Sequence, residues 1–160
     1  MSEQRVEKIS YAKTVYGQKE IDAVVECLSG STQMGRYSID FEAAIADLFA
    51  KKYGLYVNSG SSALHLGVEA FDFPPGSEVI TPALTFGTTV ACIIKNNLIP
   101  AFVDVEPLSY CIDVDQIERM ISEKTVAIMA PDLLGNICDW VRIREIADKY
   151  DLIVIQDSAD

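Results

Sequence analysis

The sequence predicts an α/β fold of three layers, with helices covering both faces of a mostly parallel sheet. Three observations predict it. From residue 55 onward, apolar runs of strand length alternate with helical patterns. Those runs, such as Leu152-Ile153-Val154-Ile155, are continuously apolar, as strands buried on both faces must be. Breakers such as Pro74-Pro75-Gly76 separate the elements.

The elements follow in order. Residues 1–15 are a polar N-terminal arm, and 16–160 read as one domain with no dividing linker. Ile21, Val24, Val25 and Leu28 share one face of a first helix, which Gly30 stops. A polar loop over 30–37 contains Met34-Gly35-Arg36. Ser38 then caps a second helix with the stripe Phe41, Ala44, Ile45, Leu48 and Phe49, ending near Gly54. Leu55-Tyr56-Val57 is a short strand, 58–62 a turn and 63–71 a helix. A strand over 78–81 leads to a helix over 85–96, weakened by the β-branched Thr88, Thr89 and Val90. Strands over 99–103, 125–130 and 152–155 alternate with helices over 114–121 and 140–150. The last helix turns Ile143, Ile146 and Ala147 inward. Five strands are expected in all.

Composition sets further bounds. The 160 residues, 49% hydrophobic and 23% charged, suffice for a buried core. A net charge of -11 with no basic cluster argues against nucleic acid and anionic membrane as partners. No stretch approaches the roughly 20 apolar residues that span a bilayer. Cys27, Cys92, Cys111 and Cys138 form no C-x-x-C pair, and with His65 alone they make no zinc site. Buried free thiols and a cytoplasmic location are expected.

In an open parallel sheet, ligands bind beyond the carboxyl ends of the strands. Asn58-Ser59-Gly60-Ser61-Ser62 there precedes a helix. Free backbone N–H groups and serine hydroxyls suit a phosphate, though on the turn alone an ordinary Ser-capped helix is the simpler reading. Phe86 follows the next strand, where its ring serves either stacking on a flat ligand or core packing. Asp157 follows the last strand. A carboxylate so placed needs a partner, a cation, a metal or a protonated ring nitrogen, unless it caps a following helix. His65 reads as a satisfied helix histidine. A binder of another phosphate ligand on a Rossmann-like sheet would need a dinucleotide fingerprint, which 58–62 does not supply.

Taken in order, Ser-Gly-Ser-Ser-Ala-Leu-His-Leu, Pro-Gly-Ser-Glu-Val-Ile-Thr-Pro-Ala-Leu-Thr-Phe, Ile-Pro-Ala-Phe-Val-Asp-Val, Leu-Leu-Gly-Asn and Ile-Gln-Asp-Ser-Ala-Asp resemble the DegT-type sugar aminotransferases. These are fold-type I enzymes (the aspartate aminotransferase fold) that use pyridoxal 5'-phosphate (PLP). The resemblance runs over 16–160 and implies the N-terminal portion of the large, PLP-binding domain. It implies that Gly60, Ser61 and Ser62 hold the cofactor phosphate, that Phe86 stacks on the pyridine ring, and that Asp157 pairs with the ring nitrogen. It implies PLP or pyridoxamine 5'-phosphate as cofactor, a nucleotide-linked keto-sugar as substrate, glutamate as a typical donor, a homodimer, and a place in lipopolysaccharide-type biosynthesis. Met34-Gly35-Arg36, Leu134-Gly135-Asn136 and Asp157-Ser158-Ala159-Asp160 look more like the branch of sugar 3-dehydratases. There a histidine replaces the lysine that otherwise forms the Schiff base. Asp132 and Asp160 also depart from the residues common in the aminotransferases. None of the eight lysines matches the Schiff-base position, which is expected beyond Asp160. A non-catalytic remnant of the fold is the remaining alternative.

Overall fold

The computed structural model describes residues 13–159. Residues 1–12 of the expected arm, Lys8 and Asp160 lie outside them. The chain forms two compact units, meeting in sequence at Gly54 and Leu55.

The first unit holds α1 (Gln18–Ser29) and α2 (Arg36–Leu48). Gly17 precedes α1, and Glu20 closes the start by accepting from the Gly17 N–H at 2.6 Å. Helix α2 starts two residues before the expected Ser38 cap, with Gly35 at its N-cap, and ends at Leu48 rather than near Gly54. No side-chain hydroxyl caps that start. Gly54 is held by a close approach. A Cβ there would lie 2.5 Å from the Glu42 carbonyl oxygen on α2.

The second unit is a three-layer α/β structure. Its elements are α3 (Gly60–Glu69), β1 (Glu78–Pro82), α4 (Gly87–Lys95), β2 (Ile99–Val103), α5 (Val114–Met120), β3 (Thr125–Pro131), α6 (Trp140–Tyr150) and β4 (Ile153–Asp157). The sheet has four strands in the order β2-β1-β3-β4, all parallel. The expected strand at Leu55-Tyr56-Val57 is not in it. A strand is defined by its ladder of hydrogen bonds, and 55–57 pairs with neither edge strand, β2 nor β4.

Along β1 and β3, successive side chains enter opposite cores. Val79, Ala127 and Met129 join Val68 of α3 and Cys92 and Ile93 of α4. Ile80, Ile128 and Ala130 join Ile117 of α5 and Ile143 and Ala147 of α6. Burial on both faces explains the unbroken apolar runs. The chain leaves β1 for β2 on one side, then crosses to β3 on the other. This creates a switch point at the carboxyl ends of β1 and β3, with α4 on one face and α5 and α6 on the other.

Candidate active site

The cavity at the switch point is built from four chain segments. Gly60, Ser61 and Leu64 come from the start of α3, and Phe86 and Thr88 from the start of α4. Pro131 ends β3 and Leu133 follows it, and Asp157 and Ala159 stand at the end of β4. It encloses about 260 Å³, close to the lower end of small-molecule sites at ~300 Å³. A larger groove of about 340 Å³ lies between α5 and α6. Its charges already pair across it, Arg142 with Asp115 and Lys149 with Glu118. The cavity at the strand ends is therefore the stronger candidate.

Helix α3 begins where sequence and cap chemistry agree. Ser59 is its N-cap, with Oγ accepting from the Ser62 N–H at 3.1 Å and donating to Ser62 Oγ at 3.1 Å. That leaves the N–H groups of Gly60 and Ser61 at the positive end of the helix without an intrahelical partner. A Cβ built on Gly60 would meet no protein atom within 4 Å. The first turn of α3 is thus an open cradle for an anion. Of the three expected phosphate residues, Gly60 and Ser61 line the cavity, and Ser62 turns its hydroxyl and N–H to the cap.

Phe86 is the N-cap of α4 and is 70% exposed, so its ring is a wall rather than a core residue. Asp157 is the last residue of β4 and is buried at 6% exposure. Its Oδ2 accepts from Thr89 Oγ1 of α4 at 2.9 Å. Its main-chain carbonyl accepts from the Asp132 N–H at 3.0 Å. Among the described residues no other side chain donates to the Asp157 carboxylate, so Oδ1 remains for a ligand.

Asp132, unlike Asp157, is fully engaged. Its Oδ1 accepts from the Cys138 N–H at 2.8 Å and from Trp140 Nε1 at 3.0 Å, and its Oδ2 accepts from Gln156 Nε2 at 2.6 Å. It fixes the loop after β3, where Leu134 and Gly135 take φ of 59° and 76° to reverse the chain. His65 is satisfied as expected, with Nδ1 3.1 Å from the amide nitrogen of Asn96. Burial, then the Asp157 charge, pushes the Cys92 thiol up to about 11. All four cysteines are free.

Sequence reasoning did not single out Thr88, Thr89, Leu64 or Leu133. Thr88 and Thr89 stood out only as poor helix formers, the one local hint that tertiary contacts hold them. Among the described residues no lysine lines the cavity. Among the described residues no three His, Cys, Asp or Glu side chains gather as metal ligands, and no helix is long and apolar enough to cross a membrane.

An open first turn of α3, an exposed aromatic ring and a buried carboxylate meet at the strand ends, which makes this an open-sheet α/β protein with one cavity at its switch point. Comparison with known proteins sharpens this. The chain matches the DegT/DnrJ/EryC1/StrS aminotransferase family over residues 15–160 and belongs to it. GDP-perosamine synthase of Caulobacter vibrioides is 36% identical over 155 residues, covering 96% of this chain and 42% of that protein. Lipopolysaccharide biosynthesis protein RfbH of Salmonella typhimurium is 41% identical, with 91% and 36% covered. GDP-4-keto-6-deoxy-D-mannose 3-dehydratase of Yersinia pseudotuberculosis is 33% identical, with 93% and 40% covered. Among solved structures, the E. coli GDP-4-keto-6-deoxy-D-mannose-3-dehydratase with bound hydrated PLP superimposes with a TM-score of 0.86 at 29% identity. It covers 92% of this chain and 40% of that one. The fold is therefore the fold-type I architecture expected. The chain spans about two fifths of the length of these relatives.

Proposed function

We propose that this chain carries the cofactor half of a PLP-dependent enzyme that transfers an amino group from an amino acid such as glutamate to a nucleotide-linked keto-sugar. The observation that carries this reading is the buried Asp157 carboxylate, held through Oδ2 by Thr89, lining one cavity with the first turn of α3. The family and the activities of its named relatives support it.

The residues present fit the cofactor. The N–H groups of Gly60 and Ser61 would hold its phosphate. Phe86 would cover one face of the ring. Asp157 would hold a proton on the ring nitrogen, because an adjacent carboxylate favours the charged pyridinium. Pro131 and Leu133 would exclude water from the ring. When bound, PLP supplies an electron sink for a carbanion at the reacting carbon. The lysine or histidine that works on that carbon is not among the described residues of the cavity, and we place it outside this chain. A homodimer acting in the cytoplasm on lipopolysaccharide-type sugars completes the reading.

The test is to supply the purified full-length enzyme, with its lysine or histidine included, with PLP, glutamate and GDP-4-keto-6-deoxymannose, and to follow products by mass spectrometry. Equal amounts of 2-oxoglutarate and amino sugar support the reading. Asp157→Asn should abolish turnover with the fold retained, since an amide cannot keep the ring nitrogen protonated. Wild-type turnover in that variant refutes the assignment. Dehydratase relatives match the chain as well. Loss of the 3-hydroxyl without a gain of nitrogen in the same assay would assign the protein to that branch.

A further inference from the structure

We propose that Thr89 is a positioning residue for Asp157, its hydroxyl clamping Oδ2 so that Oδ1 is presented to the ring nitrogen of a bound pyridine. This rests on the reading of the cavity given above and adds a residue to it.

Three observations carry the proposal. Thr89 and Asp157 are 68 residues apart, on α4 and β4, yet their side chains meet at 2.9 Å. Thr89 is wholly buried and Asp157 nearly so, so water does not compete for the bond. A threonine within a helix commonly turns its hydroxyl back to its own helix, whereas this one donates across to the end of β4. Its helix propensity is poor, so the position is better explained by the contact than by the helix.

The physical need is specific. Rotation about the Cβ–Cγ bond of an aspartate is broad and roughly two-fold, so an unclamped carboxylate does not present one oxygen in one direction. A β-branched donor is stiff at χ1 and holds that rotation. The hydroxyl also stabilises the negative charge of a carboxylate in an otherwise apolar setting, as does the N-terminal end of α4, where Thr89 lies in the first turn. The other groups packed here leave the task to Thr89. Cys92 of α4 gives its thiol to the Thr89 carbonyl at 3.0 Å, and Asp132 is engaged by Cys138, Trp140 and Gln156.

The experiment compares the affinity of the purified protein for PLP with that for its carbocyclic analogue, in which CH replaces the ring nitrogen. Wild type should prefer PLP. Thr89→Val and Thr89→Ala, which lack the donor, should lower that preference about tenfold, the scale of one charge-assisted hydrogen bond. Thr89→Ser should restore it. All variants should bind inorganic phosphate like wild type, because the first turn of α3 is untouched. Circular dichroism identifies variants that fold, and the smaller Ala variant stands in if Val does not. If the donorless variants keep the wild-type preference while Asp157→Asn loses it, Thr89 is only a structural tie and the proposal fails alone. If Asp157→Asn also keeps the preference, or wild type has none, the reading of the cavity fails and takes the proposal with it.

Discussion

Gln156 gives its side-chain amide to Oδ2 of the buried Asp132 across 2.6 Å, tying the end of β4 to the loop that leaves β3. With the Cys138 N–H and Trp140 Nε1 on Oδ1, three donors converge on one carboxylate. Asp132→Ala leaves all three without an acceptor and should destabilise the protein by about 3 kcal/mol. In Asp132→Asn, Oδ1 keeps two donors and the Gln156 amide can rotate to accept, so the loss should be about 1 kcal/mol or less. Urea midpoints check the pair. Equal midpoints for Ala and wild type would show that the network contributes nothing.

The cap of α3 separates stability from anion binding. Ser59→Ala removes the acceptor of the Ser62 N–H and should cost about 1 kcal/mol. Ser59→Asp keeps an acceptor and so keeps the stability, while its charge beside the open first turn should repel phosphate. Thermal melts and titration with inorganic phosphate give the two readouts. Tighter phosphate binding by the Asp variant would move the anion site away from α3.

Phe86 and Gly60 line the cavity with little structural duty. Phe86→Ala should change stability by less than about 1 kcal/mol, because the ring is 70% exposed. A Cβ at Gly60 has open space around it, so Gly60→Val should also fold. Each should weaken PLP binding by roughly tenfold or more, one through the lost ring face and one by crowding the phosphate cradle. Fluorescence titration measures both, and unchanged affinity in both would place the cofactor elsewhere.

The buried thiols predict an alkaline limit. Burial pushes Cys92 up to about 11, and burial with the neighbouring Cys111 pushes Cys138 up to about 12, against an ordinary 9.0. A folded-state value above the unfolded one favours the protonated form on folding. The associated stability is thus fully present below pH 9 and is lost as pH rises through about 11 to 12. Stability measured by urea unfolding should fall between pH 9 and 11, and less steeply in Cys92→Ala. At pH 8 a thiol reagent should label the half-buried Cys27 first and reach Cys92 and Cys138 only on unfolding. Rapid labelling of Cys92 in the folded protein would contradict its burial.

Much of the architecture was legible because its signals are local. Ile99 to Val103 and Trp140 to Tyr150 begin and end where turn residues and apolar spacing say they should. Leu55-Tyr56-Val57 misled because an apolar triplet has strand character whether or not it joins a ladder. The start of α2 lies before Ser38 because the helix begins after Gly35 without a side-chain cap, and a serine is a cap signal only when a helix starts at it.

By itself the sequence determined the alternation of strands and helices, the serine cap with its open turn, and the ordered motifs that mark the family. These depend on residues a few positions apart, where backbone sterics and periodicity act. Only the tertiary structure decided that Ser62 serves the cap while Ser61 faces the cavity, that Phe86 is a wall, and that Asp132 is spent on three donors. It alone brought Thr89 to Asp157. Such pairings arise when parallel strands place their carboxyl ends side by side, and that proximity joins residues far apart in the chain.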